Sequence, residues 1–161
     1  MFEQPRVSYA VMALLFILPQ SLYAFSGYIA WGIRFPLFRL QYSDYGSSVI
    51  SLFQELQYVI RGTIGGLGSR TAIATYLWLA GAVLLFAAAA LIVSWHLLDN
   101  TSHARFPGPL IIITGVLFLF WGMVQFGPLF SGPSGYSIPV GVPILWYCGY
   151  QFIQAAKGVR E

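Results

Sequence analysis

Apolar residues run in long uninterrupted stretches along this chain, and the polar ones gather between them. Residues 9–33, 71–98, 109–130 and 138–156 are each long and apolar enough to cross a hydrocarbon layer about 30 Å thick as a helix. Backbone polar groups in lipid must be paired within their own segment, so each stretch is expected to be helical. Pro19 predicts a kink in the first, Pro107 and Pro109 suit the opening turn of the third, and Pro139 and Pro143 distort the start of the fourth. The expected fold class is all-α: a polytopic membrane protein forming a four-transmembrane-helix bundle, with residues 1–161 as one membrane domain. Arg6, the apolar stretch to Leu18 and Leu22-Tyr23-Ala24 also fit a cleavable leader, but the apolar run continues to Ile33 and favours a retained helix.

Between the first two stretches the pattern changes. Over residues 47–61, Val49, Leu52, Phe53, Leu56, Val59 and Ile60 recur at helical spacing, with Ser47, Ser51, Gln54, Glu55 and Tyr58 on the other side. This predicts an amphipathic interfacial helix in the first loop, capped by Ser47 or Ser48 and stopped at Arg61-Gly62, with Glu55 toward the polar side.

Composition agrees with a membrane setting and narrows the chemistry. Hydrophobic residues make up 58% of the chain and charged residues 8%, far below the quarter or so that a soluble domain carries. The formal net charge of +3 comes from arginines and a lysine beside apolar runs, which reads as membrane-flank charge and gives nucleic-acid binding no support. Cell-membrane localisation follows as a multi-pass expectation, with the termini assigned to the cytoplasm although Lys and Arg divide evenly between the two sides. The single cysteine, Cys148, excludes an internal disulfide and a CxxC redox pair. A four-span layout with a long first loop also occurs in claudin-type proteins, but the Trp and paired-cysteine marks of that loop are missing, so layout implies no family.

Small residues recur every seven positions, as in Ala74, Gly81, Ala88 and in Gly108, Gly115, Gly122, and the glycine series predicts a close helix contact. Gln20 and Gln125 are expected either to hydrogen-bond between helices or to line a path. Arg70, with Gly68 and Ser69 before it, could hold a lipid headgroup at a helix N-terminus. His96, Asp99 and His103 are the only weak metal or acid-base candidates, at a spacing that aligns them only if the helix continues through the turn sequence Asp99-Asn100-Thr101-Ser102. No cofactor is expected. The leading functional expectation is a non-catalytic structural or accessory subunit of a membrane assembly, or a homo-oligomer, with the bilayer and other membrane subunits or itself as partners. A permeation protein for an uncharged or lipidic molecule and an interfacial enzyme using His96, Asp99 and His103 are the alternatives.

Overall fold

The computed structural model describes residues 5–28, 30–63, 66–97 and 105–158. Among them the chain is α+β, not all-α, and the four-helix bundle is corrected: five helices accompany a six-stranded antiparallel sheet. Helix α1 spans Pro5–Ile17, α2 Leu52–Ile60, α3 Arg70–Leu97, α4 Pro107–Phe126 and α5 Val142–Gly158. Strands β1 Ser21–Phe25, β2 Ala30–Arg34, β3 Phe38–Ser43 and β4 Gly46–Ser51 lie between α1 and α2; β5 Ser131–Gly132 and β6 Gly135–Ile138 lie between α4 and α5. The sheet order is β4-β3-β2-β1-β6-β5.

Among the described residues, α3 and α4 are the two helices long and apolar enough to cross a membrane, by length and composition. The stretch 9–33 fails as a span because α1 stops at Ile17, Pro19 follows, and the apolar residues beyond it alternate as strands about a turn at Ser26-Gly27, where Gly27 takes a positive φ of 76°. The fourth stretch is also shorter than expected, since residues 138 and 139 belong to the sheet or follow it and α5 begins at Val142.

The interfacial helix is corrected in the same way. Residues 46–51 pair with β3 across a two-residue turn at Asp44-Tyr45, with Ser43 opposite Gly46, and α2 starts only at Leu52. Its cap is Ser51, not Ser47 or Ser48: the Ser51 hydroxyl accepts from the Gln54 amide at 3.2 Å, and Gln54 Oε1 accepts from the Ser51 amide at 2.9 Å, a reciprocal capping box. The faces are also exchanged at the residue that matters most. Glu55 is buried with Leu52 and Val59, while Phe53 and Ile60 are exposed.

Helices α3, α4 and α5 pack side by side. Ala74, Ala88 and Ile92 are buried on α3, and Gly81 leaves room for the Phe118 ring of α4. On α4 the predicted glycine series faces two neighbours. Gly108 and Gly115 lie where α5 brings Gly149, Ile153 and Trp146, and Gly122 lies against Phe130 after the helix end. The Trp146 indole N–H donates to the Ile112 carbonyl at 3.2 Å, and the Thr114 hydroxyl donates to the Gly81 carbonyl at 3.3 Å. Chain connectivity puts the whole sheet at one end of these helices, where α1 and α4 finish and α3 and α5 begin.

Candidate functional site

The polarity of the sheet is the reverse of the usual hydrophobic-in, polar-out arrangement. Because successive strand residues point to opposite faces, the register separates them into two sets. On the outer face one row runs Ile138, Leu22, Ile33, Leu40, Val49 across five strands, and a second runs Tyr136, Ala24, Trp31, Tyr42, Ser47. Neither row contains a charged residue. Trp31 stacks on Tyr42 with centroids 4.5 Å apart and is still 52% exposed, and Val49 is 65% exposed. On the inner face, toward the helices, the rows are Ser137, Tyr23, Gly32, Gln41, Ser48 and Ser21, Arg34, Arg39, Ile50. Gly32 is required here, since a Cβ would run into the Leu40 carbonyl and the Tyr23 phenol.

The inner rows create a buried charge cluster where sheet, α2, α3 and α4 meet. Arg34 and Arg39 sit directly opposite each other on β2 and β3, an arrangement that repels unless an anion intervenes. Glu55 from α2 is that anion. It accepts from both terminal nitrogens of Arg34, Nη1 at 3.2 Å and Nη2, and its Oε1 lies 3.0 Å from Arg39 Nε without hydrogen-bond alignment. The side chains of Arg34 and Glu55 are 4% and 5% exposed. The Arg34 guanidinium also lies 4.4 Å from the ring centroid of Trp78 and 4.7 Å from that of Trp121, so two indoles flank a cation with little access to water. Trp78 is itself fixed, donating its N–H to the Pro36 carbonyl at 2.9 Å and stacking on Phe118.

Beside this cluster is a cavity of about 210 Å³. Arg34, Arg39 and Glu55 line it from the sheet side and α2, with Tyr23 from β1, Thr71 and Thr75 from the first turns of α3, and Trp121 and Gln125 from α4. Two arginines against one glutamate leave one positive charge in excess. Burial lowers the Arg34 pKa, with the neighbouring carboxylate opposing that shift, and burial raises the Tyr23 phenol above its ordinary 10.0 against the pull of Arg39 and Arg34. The Tyr23 hydroxyl and Arg34 Nε are buried with no hydrogen-bond partner in the protein.

The residues singled out from sequence are scattered. Gln125 lines the cavity, whereas Gln20 lies in the turn between α1 and β1, fully buried, its Nε2 donating to the Leu18 carbonyl at 3.1 Å. Arg70 opens α3 and is exposed; the Ser69 hydroxyl is engaged as the helix cap, accepting from the Ala72 amide at 3.2 Å. Asp99 and His103 lie outside the described residues, as does the side chain of His96, and no metal-ligand grouping occurs among the described residues. The charge cluster escaped sequence reasoning because Arg34 reads as the end of a membrane span. A period-two reading of residues 30–43 would have brought Arg34 and Arg39 together.

Comparison with known proteins finds no match among curated proteins or solved structures. A family profile matches residues 10–157, nearly the whole chain including both faces of the sheet and the charge cluster, and the protein therefore belongs to the family of unknown function DUF7549.

Proposed function

We propose that this chain is a membrane-anchored, non-catalytic assembly protein that associates with copies of itself through the outer face of its sheet. The observation that carries the reading is the pair of uncharged rows on that face. A sheet that turns Arg34 and Arg39 inward, to Glu55 of α2, and Trp31, Tyr42, Leu22, Val49, Tyr136 and Ile138 outward is built to meet an apolar surface. Those six exposed side chains present on the order of 500 Å² of mostly apolar surface, which doubled across a two-fold axis gives about 1,000 Å², the size at which specific interfaces begin. Two copies of one such face meet without burying a charge, in the manner of two sheets packed about 10 Å apart.

The anchoring part of the proposal draws on α3 and α4. Their apolar windows are only 33% and 39% buried inside the protein, and the sides left over carry Val83, Phe86, Val93, Ile113 and Phe120. A helix apolar all round suits a hydrocarbon surrounding better than water.

The test is the mass of the intact particle in mild detergent and in nanodiscs, for wild type and for Trp31→Glu/Val49→Glu. A wild-type dimer or larger oligomer that becomes a folded monomer in the variant is the expected result. A wild type that stays monomeric in both media at tens of micromolar (~10–50 µM) refutes self-association, since affinities of even modest interfaces fall below that range.

A further inference from the structure

We infer that the cavity between the sheet and the first turns of α3 is a binding site for a singly charged oxyanion of the phosphodiester type. Four observations converge on it. The cluster is not self-neutralising, because Glu55 is committed to Arg34 in a bidentate pair and Arg39 brings a second cation to the same carboxylate. A lone excess charge in a poorly hydrated space favours uptake of one negative charge and disfavours two. Hydrogen-bond donors are left over: the buried Tyr23 hydroxyl and Arg34 Nε have no protein partner, and both residues line the cavity. Arg39 lines the cavity as the second cation, with its side chain 18% exposed and its Nε also without a hydrogen-bond partner. The first turn of α3 contributes Thr71, where the helix dipole favours an anion, the Thr75 hydroxyl being engaged with the Thr71 carbonyl at 2.9 Å, and α4 contributes the Gln125 amide. Finally, Phe25, Trp121 and Phe126 form apolar walls, which suit the carbon substituents of a phosphodiester better than a free, fully hydrated dianion.

The same chemistry reaches the site from two sources, a phospholipid headgroup or a small soluble phosphodiester. Only the lipid source rests on the membrane reading given above, so the two are probed separately. In the first arm the full-length protein in mild detergent is titrated with dimethyl phosphate while tryptophan fluorescence and the thermal midpoint are followed. In the second, the intact protein is incubated with phosphatidylglycerol or with uncharged diacylglycerol, and retained lipid is measured by native mass spectrometry. Arg39→Gln is the informative variant, because it leaves the Arg34–Glu55 pair neutral and intact. Arg39→Lys restores the charge without the planar fork, and Arg70→Gln removes an exposed arginine outside the cavity.

The wild type is expected to respond saturably in at least one arm. Arg39→Gln should weaken that response by about tenfold or more, the loss of one charge-assisted hydrogen bond, with Arg39→Lys in between and Arg70→Gln unchanged. Retention of phosphatidylglycerol without a dimethyl phosphate response identifies a lipid site, and the converse identifies a soluble ligand. Equal responses of wild type and Arg39→Gln in both arms, or no saturable response in either, overturn the assignment.

Discussion

Replacing Glu55 by Gln tests the charge cluster at its centre. The substitution keeps size and shape but removes the carboxylate between two guanidiniums, one of them 4% exposed. Deleting one partner of a buried pair costs about 3–5 kcal/mol, because the other charge stays buried without compensation. Two features of the structure pull the value toward the lower end. The indoles of Trp78 and Trp121 continue to attract Arg34, and Arg39 has partial access to solvent. A loss of about 3 kcal/mol is therefore expected, which for a chain of this size lowers the thermal midpoint by roughly 6–12 °C. Unfolding is followed by tryptophan fluorescence in detergent, where Trp78 and Trp121 report on the cluster directly. Arg34→Met supplies the second side of a double-mutant cycle: in that background Glu55→Gln should cost at least about 1.5 kcal/mol less, since the stranded cation is gone. A Glu55→Gln midpoint within about 3 °C of wild type, or strict additivity with Arg34→Met, would show that the pair does not hold sheet to helices.

Other substitutions probe the packing and the phenol. At Gly81 an added methyl meets the Phe118 ring, which is 2% exposed and stacked on Trp78, so Gly81→Ala should cost about 1–3 kcal/mol by chemical or thermal denaturation. Gly115→Ala should cost less, because the Trp146 indole it meets is 39% exposed and can shift toward the open side at the expense of its hydrogen bond to the Ile112 carbonyl, and Gly68→Ala, in open space, should stay within about 0.5 kcal/mol. The raised Tyr23 pKa sets an alkaline dependence. Between the ordinary 10.0 and the higher folded value the unfolded chain gives up the phenolic proton while the folded chain keeps it, so stability falls as pH rises from about 10, and Tyr23→Phe should flatten that fall.

How far the fold is legible in sequence depends on what distinguishes one apolar element from another. Helices α3 and α4 end within a few residues of the expected bounds, because more than twenty continuous apolar residues leave only a helix as a way to pair the backbone, and Pro107 and Gly127 mark the ends of α4. The stretch 9–33 misleads for the same reason. Uniform hydrophobicity hides a helix, a turn and two strands, and the signals that divide them, Pro19 and Ser26-Gly27, are weaker than the run itself. Residues 47–61 show the limit of periodicity: Val49 fits a helical stripe, yet it and Ile50 are β-branched and flanked by serines, and pairing with β3 claims both. Glu55 reads as a polar-side residue because a lone carboxylate on a short helix is ordinarily solvated. Its partners come from β2, which the apolar run to residue 33 hides, and from β3 beyond it, so the cluster becomes visible only once Arg34 and Arg39 are opposite each other.

The sheet is sewn together from two distant parts of the chain. Strand β1 pairs with β6, and the Ser21 and Ser137 hydroxyls that close this seam at 2.6 Å are 116 residues apart. During synthesis the first four strands emerge long before the hairpin that completes them, so β1 waits as an open edge until α3 and α4 have been made. That long-range closure makes joining the seam a late and slow step of folding, and leaves unfinished chains liable to pair β1 with a neighbour instead.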